Sequence, residues 1–322
     1  MKINLSIFFF IAFSLNIFAQ EILNLSELET EINALAEEMH KDSAESRRLK
    51  NANDILTLLS NNLIQKGSFK YPFSNLKGIS VLEPKDKKFK IFTWEVFVNK
   101  DSYRQFGIIQ TADEKVYALE DKSETIKAAE FAKLKPENWY GALYYHVQDF
   151  TTGVNNETQY LLLGRDSYGY YERRKVIDIL YFDFMGRPRF GNNLIQIKDG
   201  RGQLRTVGRY FLQYSAVASV MLRYDQDLKM VIYDHLVMGS PIMKDVPPSN
   251  IPDGSFNGLK TQKGKWEFVD MVFEYNPDNI LEDAQNPAAI MLRNDQKRDG
   301  GKDIFGKEKS PEKKKNPKTE RP

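Results

Sequence analysis

Two stretches with the pattern of β-hairpins constrain this chain more than any other feature. The first runs from Tyr160 to Phe184, where an apolar run breaks at Gly164 and another begins at Val176 after a polar, aromatic loop. The second runs from Ser219 to Leu236 and turns through residues 226–229. Short β-prone runs joined by turn residues predict hairpins. We therefore expect a core of antiparallel strands.

The second arms of the two hairpins each place an acid among apolar residues. The shared pattern is Val176-x-Asp178-x-Leu180 and Ile232-x-Asp234-x-Leu236. Because side chains alternate between the two faces of a strand, Asp178 and Asp234 fall on apolar faces. An isolated buried charge is costly, so each acid needs a partner. We expect structural ion pairs with arginines of the opposing arms, Arg165 for Asp178 and Arg223 for Asp234.

A second interpretation of Asp178 and Asp234 is catalytic. Glycoside hydrolysis uses two carboxyl groups facing one cleft. The sequence does not show that these two acids converge, so the catalytic interpretation stays the alternative to the structural one.

The loop of the first hairpin is unusually aromatic. It reads Ser167-Tyr168-Gly169-Tyr170-Tyr171 and joins two core strands. Rings on a rigid hairpin suit stacking on a sugar or insertion into a partner. We predict Tyr168, Tyr170 and Tyr171 as binding residues, with the alternative that one or two of them fold back as a lid over the core.

Charge is distributed unevenly along the 322 residues. Residues 293–322 carry 11 Lys and Arg against 6 Asp and Glu. Without that segment and Lys2, 34 basic residues face 38 acidic residues, so the body is mildly acidic. A nucleic-acid-binding domain would carry its positive charge on the body, and we expect no nucleic-acid partner. We expect residues 293–322 to form a disordered basic tail that touches anionic surfaces.

The first residues have the pattern of a secretory signal peptide. Lys2 precedes an apolar run from Leu5 to Phe18, which ends at Ala19. We expect cleavage after Ala19 and export to the periplasm or the medium, with a retained anchor as the alternative. The sequence contains no cysteine, which excludes disulfides and thiolate chemistry.

Helical spacing dominates residues 20–66. Ser26 and Glu29 have the spacing of a capping box, and apolar residues then recur every three or four positions. We expect two helices joined near Lys41, packed as a hairpin on the body. A coiled-coil partner surface is the alternative.

From Gly67 the periodicity changes to that of strands. Strand-like runs cover residues 89–98, 106–111, 116–119, 209–214 and 265–269. A helix is predicted from Ser123 to Leu134, and a turn at Asp253-Gly254. The predicted fold is α+β and mainly β. It has a helical hairpin (20–66) and an antiparallel β-meander (67–292), arranged as a sandwich, an open barrel or propeller-like blades.

Motifs for metal or cofactor chemistry are lacking. The three histidines, His40, His146 and His235, are far apart in sequence, and no His-Glu-x-x-His motif is present. There is no Gly-x-Ser-x-Gly elbow and no phosphate-binding glycine loop. We predict no cofactor and no metal, with a zinc site assembled from distant residues as the open alternative.

Five stretches of the body stand out together: residues 139–145 (WYGALYY), 160–164 (YLLLG), 174–178 (RKVID), 222–225 (LRYD) and 233–236 (YDHL). This set resembles an uncharacterised family of exported proteins of Bacteroidetes-type Gram-negative bacteria, over Trp139 to Asp270. The resemblance implies export and a β-rich body, and it assigns no catalytic residue.

These observations lead to one expected function and two alternatives. We expect an exported, non-enzymatic binding or scaffolding module of the cell envelope, whose aromatic loop contacts an envelope protein or a glycan. The first alternative is a hydrolase of glycan or peptidoglycan that uses Asp178 and Asp234. The second is a structural subunit of an envelope complex, held through the helical hairpin.

Overall fold

The computed structural model describes residues 24–153, 156–240 and 248–273. The predicted signal peptide and the predicted basic tail both lie outside these residues. The helices are α1 (Leu25–Lys41) and α2 (Glu45–Asn62). The strands are β1 (Ser80–Leu82), β2 (Phe89–Asn99), β3 (Ser102–Thr111), β4 (Val116–Glu120), β5 (Leu143–Thr151), β6 (Thr158–Asp166), β7 (Glu172–Phe182), β8 (Pro188–Phe190), β9 (Ile195–Lys198), β10 (Leu204–Val207), β11 (Arg209–Ser215), β12 (Leu222–Asp225), β13 (Met230–Met238), β14 (Asn250–Gln262) and β15 (Lys265–Val269).

The two N-terminal helices form the predicted hairpin. The N-cap of α1 is Asn24, whose side chain accepts a hydrogen bond from the Ser26 amide, so the predicted capping box is not formed. Glu29 instead turns inward, and its carboxylate accepts hydrogen bonds from the Tyr71 hydroxyl and from Asn75. This carboxylate ties α1 to the segment that leads into the first strand.

The strands form three sheets. In the first, the order is β1-β2-β3-β4, and all neighbours are antiparallel. The second has the order β11-β7-β6-β5, with the short β8 also paired to β7. The third has the order β10-β9-β15-β14-β13-β12, and its one parallel contact is between β15 and β9. The prediction of a helical hairpin followed by a mainly antiparallel β body is confirmed.

Helices and sheets are stacked in series, with a separate hydrophobic core between each pair of layers. The helices pack on one face of the first sheet through residues such as Leu28, Leu59 and Trp94. The other face of that sheet packs on the second sheet. The second sheet then packs on the third through a core that includes Trp266.

Strand β6 contains three consecutive leucines, and its position between two hydrophobic cores explains them. Leu162 contributes to the core shared with the first sheet, whereas Leu161 and Leu163 contribute to the core shared with the third sheet. Side chains alternate across a strand, so a strand buried on both faces needs apolar residues at consecutive positions. The central position of β6 in the stack therefore explains the sequence Leu161-Leu162-Leu163.

The helix predicted from Ser123 to Leu134 is wrong, because this segment consists of turns. Some of its carbonyl groups accept from residues outside the segment: the Glu130 carbonyl accepts from the amides of Gly208 and Arg209. Ala128 adopts a positive φ of 48°, which no α-helix accommodates. Tertiary hydrogen bonds thus replace the helical ones that the local sequence favours.

The turn predicted at Asp253-Gly254 is also wrong, since both residues lie within β14. The register between β13 and β14 slips at this point, where residues 253–255 bulge opposite His235. Gly254 has a φ of +91°, a conformation that glycine adopts without strain. The sequence signal for a turn therefore marks a β-bulge.

In the three described ranges, no helix combines the length and the apolar character that a membrane span requires.

Candidate functional site

Asp178 lies in a sealed ionic cluster between the first and second sheets. Its side chain and that of Arg209 are both 0% exposed. The carboxylate Oδ2 is 2.8 Å from Nε and 2.7 Å from Nη2 of Arg209, and the Tyr144 hydroxyl donates to it at 3.1 Å. Oδ1 accepts from the Ile179 amide at 2.8 Å. Both oxygens of this carboxylate are therefore hydrogen-bonded within the protein.

Burial and pairing act on Asp178 in opposite directions. Burial raises the pKa of its carboxyl, and the Arg209 guanidinium opposes that effect. Arg209 also donates from Nη1 to the Ala129 carbonyl at 2.8 Å. The pair therefore fastens the turn segment around Ala129 to β7 and β11.

The partner predicted for Asp178 needs correction, because the structure pairs it with Arg209 and not with Arg165. Asp178 lies opposite Leu162 in the β6–β7 register. Arg165 is three residues further along β6, so its side chain points to the other face of the sheet. It is half exposed and lies 3.8 Å from Glu95.

The partner predicted for Asp234 needs the same correction. Arg223 pairs with Asp225, two residues along its own strand, at 2.7 Å. Asp234 accepts a hydrogen bond from the Met221 amide instead. Burial raises the pKa of Asp234, and the nearby charge of Asp253 adds to that effect. Asp234 is thus bound to the main chain without a basic partner among the described residues.

The two acids lie in different layers. Asp178 faces the first sheet together with Val176 and Leu180. In β13, Val231 and Tyr233 face the second sheet, so Asp234 points from the opposite face. Asp178 is closed to solvent and the two carboxylates point into different spaces. This arrangement favours the structural interpretation of both acids over a catalytic pair.

A cleft opens where the first and second sheets end beside the aromatic loop. Its volume is about 560 Å³. Three segments form its walls: the start of β3, the loop that follows β4, and Tyr168-Gly169 of the loop between β6 and β7. We call this space the loop cleft.

The floor of the loop cleft is a chain of polar groups on Tyr140, Asp166 and Arg174. The Tyr140 hydroxyl donates to Oδ2 of Asp166 at 2.8 Å and accepts from Nη1 of Arg174 at 3.0 Å. Oδ1 of Asp166 accepts from the Tyr168 amide at 3.0 Å, which fixes the beginning of the aromatic loop. Burial raises the pKa of the Asp166 carboxyl to about 6, although these hydrogen bonds favour its charged form.

Arg174 also supports the ring of Tyr168. The centre of its guanidinium lies 3.4 Å from the ring centroid, and its Nε donates to Gln213 at 2.9 Å. A guanidinium stacked on an aromatic face gives a stabilising cation–π contact. Tyr168 therefore stands at the edge of the cleft as a fixed ring.

The predicted loop aromatics are all partly open to solvent. Tyr168, Tyr170 and Tyr171 are 41%, 52% and 42% exposed. Tyr170 and Tyr171 contact each other edge to face, with centroids 4.8 Å apart. Tyr168 lines the loop cleft, whereas Tyr170 and Tyr171 do not.

A second buried acid, Glu95 of the first sheet, lies behind the wall of the cleft and is bonded to Gln105 and Ser167. Oε2 of Glu95 accepts from Gln105 at 2.6 Å and from the Ser167 amide at 3.0 Å. Oε1 of Glu95 accepts from the Ser167 hydroxyl at 2.6 Å. Gln105 also lines the cleft, and its buried Oε1 has no hydrogen-bond partner within the part of the chain that the structure describes.

Sequence reasoning missed most of this cleft. Asp166, Arg174 and Gln105 come from three different strands, and no local motif links them. The one signal was the spacing of Asp166 two residues before Tyr168, which allows a side chain to cap the following loop.

The described residues form no metal site, and comparison with known proteins assigns no function to this chain. No cluster of three or more His, Asp or Glu suited to a metal ion occurs among the residues with described positions. No family model, curated protein or solved structure matches this chain.

Proposed function

We propose that this chain is a non-enzymatic binding module of the cell envelope, and that the loop cleft binds a carbohydrate. The observation that carries the proposal is the Tyr168 ring, held on Arg174 at the edge of a cleft lined with polar groups. An aromatic ring buries the apolar C–H face of a sugar, while hydroxyl groups need both donors and acceptors.

The lining of the cleft supplies groups of both kinds. Asp101 and Glu124 line the cleft and provide carboxylate acceptors. Arg104 and Lys122 add donors from the same wall. Ligand sites in proteins combine apolar surface with a few placed polar groups, and this cleft has both.

The proposal favours binding over hydrolysis because Asp166 on the floor of the cleft, and Glu95 behind its wall, already have structural partners. Asp166 accepts from Tyr140 and from the Tyr168 amide, and Glu95 accepts from Gln105 and Ser167. Exchange of these bonds for a substrate would release the loop that carries Tyr168. Export to the periplasm or the surface, which the first 19 residues predict, would bring the cleft to envelope glycans.

Binding to glycans tests the proposal directly. We expect the full chain to co-sediment with purified peptidoglycan or to bind members of an oligosaccharide array, and Tyr168→Ala to weaken that binding at least about tenfold. Phe184→Ser, which changes an aromatic residue outside the cleft, is the matched control and should bind normally. Unchanged binding by Tyr168→Ala would refute the assignment, and release of reducing sugars by the native chain would establish a hydrolase instead.

A further inference from the structure

The turn between β7 and β8 presents two apolar side chains to solvent. Phe184 is 96% exposed and Met185 is 57% exposed. They lie at the far end of β7 from the loop cleft, and a strand of this length separates the two ends by roughly 30 Å. We call residues 183–187 the apolar tip.

The apolar tip is held in one conformation. The Asp183 carboxylate accepts from the amides of Met185 at 2.9 Å and Arg187 at 3.0 Å. The Gly186 amide donates to the Asp183 carbonyl at 2.8 Å, and Gly186 has a φ of +73°. The tip therefore projects Phe184 from a fixed turn, and the exposure of this ring is part of the fold.

A cationic pocket lies beside the apolar tip. Lys135, Arg187 and Arg189 line a cavity of about 400 Å³, in which Glu137 is the acid among the lining residues. The bridge between Leu134 and Phe190 places Lys135 next to Arg189. Arg187 and Arg189 share the single carboxylate of Asp183, at 3.1 and 2.8 Å. The two guanidiniums are thus only partly neutralised.

We propose that the apolar tip docks on a lipid bilayer that contains anionic headgroups. Phe184 and Met185 enter the boundary between headgroups and acyl chains, and the three cations of the pocket contact headgroup phosphates. Interfacial binding strengthens with the apolar area buried and with attraction to anionic lipids, and the tip supplies both within one turn. This proposal is independent of the carbohydrate function, because the two sites are at opposite ends of the second sheet.

A bilayer suits the tip better than a pocket on another protein. A protein interface has a well-packed core with apolar residues around its central anchor. Phe184 has one apolar neighbour in the tip, Met185, whereas Asp183 and Arg187 are charged. A lipid surface needs no matching shape and takes up an isolated ring.

Tryptophan fluorescence tests the proposal in the full chain. The native residues Trp94, Trp139 and Trp266 are all buried, so a Trp at position 184 is the one that reports a change of surroundings at the tip. We expect Phe184→Trp to shift its emission to the blue with vesicles of phosphatidylcholine that contain roughly 30% phosphatidylglycerol. Vesicles of phosphatidylcholine alone should produce a much smaller shift, and added salt should reduce the response.

Matched variants separate the tip from other basic segments. Val217→Trp places the reporter on another exposed turn, at the end of β11 near the aromatic loop, and should show no shift. Phe184→Ser should weaken vesicle binding at least about tenfold while glycan binding stays intact. Co-sedimentation with anionic vesicles without a blue shift at position 184 would assign binding to the basic residues 293–322 and overturn the proposal. Capture of a protein through Phe184 without vesicle binding would overturn the lipid assignment.

Discussion

Asp178 and Asp234 occupy matching positions in two hairpins of similar sequence, yet their surroundings differ. Asp178 lies on the central strand β7 and has a buried arginine, a tyrosine hydroxyl and an amide as partners. Asp234 lies in β13 beside the bulge of β14 and accepts from one amide. Neighbouring strands, and not the local pattern, therefore decide what a buried acid does. Four predictions test this difference, from the largest expected effect to the smallest.

Removing the Asp178 carboxylate should have the largest effect on stability. Asp178→Ala leaves the Arg209 guanidinium buried without its counter-charge, which costs about 3–5 kcal/mol of unfolding free energy. Urea denaturation followed by circular dichroism measures this change. Asp270→Ala breaks an exposed ion pair with Lys198 and serves as the control, with an expected loss of about 0.5 kcal/mol or less. A stable, soluble Asp178→Ala protein would contradict the structural role and revive the hydrolase alternative.

The pH dependence of stability should reveal the raised pKa of Asp166. Its pKa in the folded protein is about 6, above the unfolded value, so the folded state holds this proton more tightly. Its contribution is complete below the unfolded pKa and is lost as the pH rises from about 4 to about 6, a change of roughly 2–3 kcal/mol.

Comparison with Asp166→Asn isolates that contribution. The unfolding free energy of the native chain should fall more steeply between pH 4 and pH 6 than that of the variant, when both are measured by urea titration. Parallel profiles for the two proteins would show that Asp166 titrates normally.

Asp234→Ala should destabilise less than Asp178→Ala. It leaves the Met221 amide without an acceptor and strands no charge, so we expect a loss of about 1–2 kcal/mol in the same urea assay. Asp234→Asn keeps an acceptor oxygen and removes the repulsion from Asp253, and should be at least as stable as the native chain. A loss from Asp234→Ala as large as that from Asp178→Ala would erase the difference between the hairpins.

The aromatic loop should have the smallest effect on stability. Replacing Tyr168, Tyr170 and Tyr171 together with Ala removes one cation–π contact and one ring pair at the surface, and we expect a loss of about 1 kcal/mol or less. The thermal midpoint measures this change, and the glycan assay shows whether function is lost at the same time. A large fall in the midpoint would mean that the rings close the core as a lid.

The sequence predicted elements well where local periodicity is strong. The helical hairpin and the two β-hairpins of similar sequence are present. Each of them depends on residues that lie close together in the sequence. The prediction of a helix at Ser123–Leu134 was wrong because carbonyls of this segment accept hydrogen bonds from Gly208 and Arg209, about 80 residues away. The prediction of a partner for Asp178 was wrong for the same reason, since only the fold brings β11 beside β7.

Of the residues that line the loop cleft, the sequence pointed to Tyr168 as a binding residue. Tyr168 was recognised as an exposed ring on a hairpin. Its support by Arg174, six residues further along the chain, could not be derived because the sequence does not show which side chains meet across the loop. The polar floor could not be derived because Tyr140 is 26 residues from Asp166 and 34 residues from Arg174.

The serial stack of layers has a consequence for how the chain comes apart. The helical hairpin packs through one core only, whereas the second sheet separates two cores and depends on both. Partial opening can therefore release the helices while the inner sheets remain folded, but opening of β6 must disrupt both inner cores. Native-state hydrogen exchange should reflect this order, with amides of α1 exchanging through local opening and those of Leu161 to Leu163 only through global unfolding.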